Sequence, residues 1–208
     1  MNVHSAINRQ NPNHEWTCHS LEPFIDEKCT WRVGVWSHCS FTWKFPSSNK
    51  NEDLSSTFSV YSNKKGKDHE ELKFRLYNSS ATRRLFKVIV QYKHQSNEKS
   101  LAFYSPAKNA ILHYSQSGVV MLGGLLNGKG LTQYCIRDYN QDQNQPIFRC
   151  IEEGFLPISP LASGNLCSVF TLETELAPES SVEGMIWTIG ADTNEKINEI
   201  EARLLNMF

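Results

Sequence analysis

Apolar and polar residues alternate with a period of two along most of this chain. In the run FKVIVQY at 86–92, one side carries phenylalanine, two valines and tyrosine, while the other is mixed. Such alternation is typical of a half-buried antiparallel strand. The same pattern, bounded by Asn, Ser, Gly or Pro, predicts strands at 30–36, 40–45, 56–61, 71–78, 85–93, 101–104, 110–114, 119–126, 132–138, 147–152, 168–176 and 182–189.

The connections between these strands are short and rich in turn-forming residues. The segments 63–68, 95–98 and 127–130 combine Asn, Gly, Ser and Lys, which suit tight turns. No stretch before residue 190 offers ten residues of helical period. Sequential strands joined in this way predict an all-β protein, an antiparallel β-sandwich.

The chain ends with a different pattern. Ile197, Ile200, Leu204 and Leu205 recur at helical spacing after a start at Asp192 or Thr193, which predicts a C-terminal amphipathic helix packed on the sandwich. The predicted organisation is an irregular N-terminal arm at 1–30, the sandwich at 31–190 and the helix at 191–208.

Composition narrows the range of functions. The 208 residues include 21 basic and 22 acidic side chains, a formal net charge of −1, without the clustered basic residues that nucleic acids or membrane surfaces attract. The first residues lack the apolar stretch of an export signal, and the apolar run at 119–126 is too short to cross a bilayer. We therefore expect a cytoplasmic protein that binds neither nucleic acid nor membrane.

The C-terminal half resembles a known sandwich. The segments FTLETELAPES at 170–180 and GMIWTIGAD at 184–192, followed by a charged helix, resemble the end of the β-supersandwich domain in cellobiose phosphorylases and cyclic glucan synthases. The upstream segments AFYSP at 102–106 and VVMLGG at 119–124 are similar in their residue pattern to segments of the same domain. The resemblance implies a sandwich of the kind found in sugar enzymes. It transfers no catalytic residue, because that family's catalytic groups lie on a helical barrel after the linker helix.

Histidines and cysteines gather near the N-terminus, where zinc is the one cofactor that the sequence suggests. The predicted ligand set is Cys18, Cys29, His38 and Cys39, because zinc favours thiolate and imidazole groups in sets of four. The usual paired spacing occurs only between His14 and Cys18, so an incidental grouping without metal stays open. The later cysteines, which fall in strand-like runs, are expected to be buried thiols: Cys135, Cys150 and Cys167.

Tryptophans are also frequent in this region. Trp31 and Trp36 fall on opposite faces of one predicted strand, and Trp43 follows on the next. Sugars stack on exposed indoles while charged groups bind their hydroxyls, although most tryptophans are buried in a core. We expect Trp31 in the core and predict a ligand site at Trp36, Trp43, Arg32 and His38.

Other motifs carry less information. Asp138, Asn140, Asp142 and Asn144 are spaced like the start of a calcium loop, but Gln143 and Arg149 replace the glycine and the acidic residue that such loops need. An ordinary hairpin loop is therefore expected. No phosphate-binding loop, GxSxG elbow or HExxH pair occurs, so no catalytic residue is predicted.

These features favour a non-catalytic binding or assembly module. Its ligand would be a glycan or a protein partner, including a second copy of the chain. Two alternatives stay open: an enzyme or enzyme subunit of carbohydrate metabolism, as the resemblance suggests, and a structural protein of a virion or spore.

Overall fold

Two antiparallel sheets packed face to face, with one C-terminal helix, confirm the predicted fold class. The computed structural model describes residues 31–45, 57–93, 100–139 and 146–206; the predicted arm at 1–30 lies outside them. In chain order the elements are β1 (Trp31–Ser37), β2 (Ser40–Phe45), β3 (Phe58–Lys65), β4 (His69–Tyr77), β5 (Arg84–Lys93), β6 (Ser100–Ser105), β7 (Ala110–Ser115), β8 (Gly118–Leu126), β9 (Gln133–Asp138), β10 (Leu161–Gly164), β11 (Leu166–Leu176), β12 (Ser181–Ala191) and α1 (Asn194–Leu205).

The main core lies between the two sheets. The smaller sheet has the strand order β2-β1-β5-β11-β9, and the larger has β10-β6-β7-β8-β12-β4-β3. Val90 on β5 pairs with Val33 on β1 and with Phe170 on β11. Because paired residues share a face, all three point inward, where they meet Phe74 from the larger sheet. Trp31 belongs to this core, as predicted, and is 1% exposed.

The predicted strand at 147–152 is wrong. Residues 146–160, which we call the covering segment, lie on the outer face of the smaller sheet and do not form a regular strand. The apolar run that suggested a strand instead supplies Ile147 and Phe148 to a second buried cluster on that face. A short apolar run is thus explained by burial on a sheet rather than by pairing within it.

Strand β10 escaped prediction because its sequence resembles a turn. It holds only four residues, LASG, after a proline. Leu161 nevertheless pairs with Phe103 of β6, and the backbone N–H of Ile136 on β9 donates to the carbonyl of Ser159 at 2.9 Å. The chain from 159 to 164 therefore links the smaller sheet to the larger one along one side of the sandwich.

Helix α1 packs on the outer face of the larger sheet. Its Ile197, Ile200 and Leu204 are buried in a cluster that includes Met185 and Trp187 of β12. Thr193 caps the helix by accepting from the N–H of Lys196 at 3.4 Å, which confirms one of the two predicted caps. The helix therefore covers one outer face, while the covering segment occupies part of the other.

The tight turn between β1 and β2 provides a stability test. His38 and Cys39 have φ values of 54° and 60° in a two-residue loop between the paired residues Ser37 and Ser40. Asn-Gly suits such a loop, because asparagine tolerates positive φ and glycine has no β-carbon to disfavour it. Replacing His38 by Asn together with Cys39 by Gly should raise the free energy of unfolding by about 1 to 2 kcal/mol, measured by urea denaturation. His38→Ala keeps a β-carbon at both loop positions, without the asparagine side chain, and should bring no gain; an equal gain would contradict this explanation.

Candidate functional site

Side chains of the smaller sheet hold the backbone of the covering segment. The indole Nε1 of Trp36 donates to the carbonyl of Ile151 at 2.6 Å. The backbone N–H of Leu156 donates to Oε1 of Gln133 on β9 at 2.9 Å. Because these two anchors lie on different strands, the segment is tied across the width of the sheet.

Lys87 is the third anchor and lies almost wholly out of solvent. Its side chain is 2% exposed, and its Nζ lies 3.7 Å from Oε1 of Glu173 on β11. The same Nζ donates to the carbonyl of Gly154 at 3.2 Å. It also lies 5.2 Å from the ring centre of Trp36 and 4.6 Å from that of Phe155. One carboxylate, one carbonyl and two aromatic rings thus compensate a buried ammonium group.

Glu173 is engaged by further donors within the protein. Its Oε1 accepts from Nε2 of Gln133 at 2.6 Å and from Oγ1 of Thr171 at 2.9 Å. The Gln133 amide also contacts the Gly154 carbonyl at 3.4 Å. These side chains therefore form one hydrogen-bonded network beneath the covering segment, and their polar atoms are used mainly to fix its backbone.

A pocket of about 500 Å³ opens beside this network, within the size range of small-ligand sites. Its lining combines apolar and charged side chains from β9 and the covering segment: Gln133, Arg149, Cys150, Glu153, Phe155, Leu156 and Ile158. Arg149 and Glu153 are the charged residues of this lining, and both are exposed.

Phe155 is the aromatic side chain of the pocket. Lys87 Nζ lies over its ring at 4.6 Å, and yet 46% of the residue is exposed. Because the buried ammonium occupies one side of the ring, the exposed area belongs mostly to the other side. The pocket thus contains a flat apolar surface, and its lining also includes Arg149 and Glu153.

The structure brings Arg32 and Trp43 together, packs Trp43 against the buried cluster that contains Trp36, and leaves His38 in a turn. The Arg32 guanidinium lies 4.3 Å from the ring centre of Trp43, which is half-buried. Trp36 is only 6% exposed, so the exposure that we expected for its indole is not found. His38 is exposed in the β1–β2 turn. A binding role for Arg32, Trp36, Trp43 and His38 stays a prediction.

Only half of the predicted zinc set can be located. His38 and Cys39 are neighbours in the β1–β2 turn, whereas Cys18 and Cys29 lie outside the described residues. Across the described ranges, no group of three or more His, Cys, Asp or Glu side chains is arranged to hold a metal ion. The four-ligand zinc site therefore stays a prediction.

The thiols on the outer face of the smaller sheet are protected. Cys135 and Cys167 are buried, as predicted, whereas Cys150 is only half-buried. Burial raises the pKa of Cys167 to about 11, although a hydrogen bond from Gln91 acts in the opposite direction. Cys167 therefore remains a neutral thiol at physiological pH and behaves as a packing residue. Cys150 donates instead to Oε2 of Glu152 at 3.3 Å.

Sequence reasoning missed the residues that build the pocket. Lys87 and Glu173 look like ordinary solvent-facing residues of alternating strands, and Gln133 and Phe155 belong to no motif. One weak signal was available, because the outward side of 86–92 carries Ile89 between Lys87 and Gln91. An apolar residue on the outward side makes the run more continuous, a pattern that favours a strand buried on both faces.

Two comparisons of this chain with known proteins gave no match. No protein-family model matches it, and a search of curated proteins finds no significant match. Within the ranges that the structure describes, no helix has the length and apolar character needed to cross a membrane.

Proposed function

We propose that this chain is a non-catalytic binding module that holds a glycan in the pocket beside Phe155. The observation that carries the proposal is the half-exposed Phe155 ring, backed by Lys87 on one side and flanked by Arg149 and Glu153. A flat apolar surface with charged hydrogen-bonding groups at its edge suits a sugar, which has apolar C–H faces and hydroxyls around its rim.

Binding is favoured over catalysis because the titratable side chains beneath the pocket are already paired with other groups of the protein. Lys87 and Glu173 have the chemistry for proton transfer, but they lie 3.7 Å from each other and also bond the covering segment and its anchors. Such mutual engagement stabilises a fixed surface. The resemblance of 170–192 to the sandwich of cellobiose phosphorylases and cyclic glucan synthases also supports a carbohydrate ligand.

Removal of the Phe155 ring is the direct test. Phe155→Ala should weaken glycan binding at least about tenfold, which corresponds to roughly 1.4 kcal/mol, because stacking on the ring is lost. The measurement is calorimetric titration with a panel of soluble oligosaccharides, together with NMR mapping of the amides of 149–158.

The matched control is Tyr61→Ala. Tyr61 is an aromatic residue of similar exposure, 51%, on the edge strand β3 of the other sheet. Its removal should leave binding unchanged. Equal losses in both variants, or amide shifts confined to other strands, would contradict the proposed site.

A second candidate function, assembly through protein contacts, is favoured by exposed apolar side chains near the same side of the sandwich. Ile158 is 79% exposed, Leu161 58% and Leu101 44%, and large exposed apolar patches often mark protein interfaces. Light scattering after size exclusion separates the two functions. A stable oligomer that no sugar perturbs would favour assembly, whereas a monomer that binds a glycan would favour the pocket.

A further inference from the structure

We infer that the Phe155 pocket takes a neutral glycan and rejects acidic ones such as polyuronates and sulfated glycans. This inference rests on the proposed function and adds the chemical class of the ligand.

The charged side chains around the pocket do not give it a net positive charge. Arg149 and Glu153 both line it and carry opposite charges. The buried positive charge of Lys87 is matched by Glu173 at 3.7 Å. Glu152 adds a negative charge beside the lining, where it accepts a hydrogen bond from Cys150. The lining therefore offers an acidic glycan no net positive charge, and the neighbouring Glu152 carboxylate opposes its approach.

The polar groups available to a ligand match hydroxyls better than carboxylates. The Gln133 amide is already engaged, because its Oε1 accepts from Leu156 and its Nε2 donates to Glu173. A guanidinium at Arg149 only donates, and a carboxylate at Glu153 only accepts. A sugar hydroxyl does both and can use the two groups together, whereas a ligand carboxylate at Arg149 would be repelled by Glu153.

The position of the Phe155 ring also favours a neutral ligand. Lys87 lies over one side of Phe155 and has its own counter-charge in Glu173, so this ammonium is not an unpaired cation beneath the ring. The outer side of the ring is an apolar surface, and the strongly exposed Ile158 lines the same pocket. Contact with this surface requires desolvation, which is less costly for the C–H face of an uncharged pyranose than for an ionised group.

The test uses the full chain and oligosaccharides of matched length. Neutral gluco-oligosaccharides with different linkages are compared with oligogalacturonate and with sulfated heparin fragments, by calorimetry at about 50 mM and about 500 mM NaCl, a range over which the Debye length shortens severalfold. We expect a neutral glucan to bind with an affinity that salt changes less than about twofold. The acidic glycans should bind at least about tenfold more weakly.

Two substitutions at Glu153 distinguish the effect of its charge from the effect of its size. Glu153→Lys makes the lining positive, so it should weaken neutral binding and raise affinity for oligogalacturonate, with strong salt dependence. Glu153→Gln keeps the size of the side chain and removes only the repulsion, so it should gain less affinity for the acidic ligand than Glu153→Lys. Because Glu153 is exposed, neither change should disturb folding, which the NMR spectrum of each variant checks.

The possible outcomes bear on different claims. Acidic glycans that bind wild type more tightly than neutral ones, with an affinity that salt weakens, would overturn the inference and leave the proposed function standing. A wild type that binds no glycan of either class would overturn the proposed function and the inference with it. Neutral binding that Phe155→Ala and Glu153→Lys both weaken would support both.

Discussion

Replacing Glu173 by glutamine should lower the free energy of unfolding by about 2 to 4 kcal/mol, because it leaves a buried ammonium without its counter-charge. Lys87 is 2% exposed and Glu173 only 17%, so solvent screens this pair far less than it would a surface ion pair. The glutamine keeps the size of the side chain and can still accept a hydrogen bond from Gln133. The predicted loss is therefore mainly electrostatic and is measured by urea denaturation at neutral pH.

Glu175→Gln is the matched control for this substitution. Glu175 lies two residues along the same strand but is 62% exposed and only 3.9 Å from an exposed Arg83. Surface pairs of this kind contribute little, so the variant should unfold like wild type. Equal losses from the two glutamine substitutions would contradict the idea that Lys87 is a charged group held by Glu173.

A double substitution extends this test. Combining Lys87→Met with Glu173→Gln removes the buried charge together with its partner. Much of the stability lost in Glu173→Gln should then return, because a hydrophobic replacement of a buried pair is often neutral. A double variant that is less stable than either single variant would show that the two positions contribute through packing instead.

Gly154→Ala is expected to destabilise the protein by about 2 to 4 kcal/mol and to displace the pocket. Gly154 has a φ of +62°, and an added β-carbon would lie 2.7 Å from Cδ2 of Trp36. Two effects therefore combine, namely the backbone strain of a left-handed alanine and a collision with a buried indole. The shift should also strain the hydrogen bond from Trp36 to Ile151, whose geometry the indole N–H resonance of Trp36 reports by NMR.

Gly128→Ala isolates the backbone effect. Gly128 has a similar φ of +71°, but nothing lies within 4 Å of an added β-carbon. This variant should lose only about 1 kcal/mol and should leave the Trp36 resonance and glycan binding unchanged. Equal losses of stability in the two alanine variants would contradict this explanation. They would mean that the covering segment moves away from the added methyl group and that Trp36 does not hold it in place.

The architecture of the sheets could be predicted from sequence because it depends on local patterns. The alternation in 86–92 became β5, and the helical spacing of Ile197, Ile200 and Leu204 became the buried face of α1. In both cases the period of the side chains is set by the backbone of the element itself. The assignment of Trp31 to the core followed from the same reasoning.

The site could not be predicted because it depends on contacts between distant parts of the chain. Trp36 and Ile151, which form the 2.6 Å hydrogen bond, are 115 residues apart in sequence. A period-two pattern says which residues share a face, but it does not say whether a later segment will cover that face. Our expectation of an exposed Trp36 failed for this reason, and the burial of Lys87 was missed for the same one.

The sequence by itself therefore determined the fold class, the faces of most strands and the C-terminal helix with a cap at Asp192 or Thr193. Only the tertiary structure decided that the covering segment lies on the smaller sheet, that Lys87 and Glu173 pair beneath it, and that Phe155 stands half-exposed above them. The physical reason is that alternation and capping are properties of a few neighbouring residues, whereas the burial of a charged side chain depends on everything that packs against it.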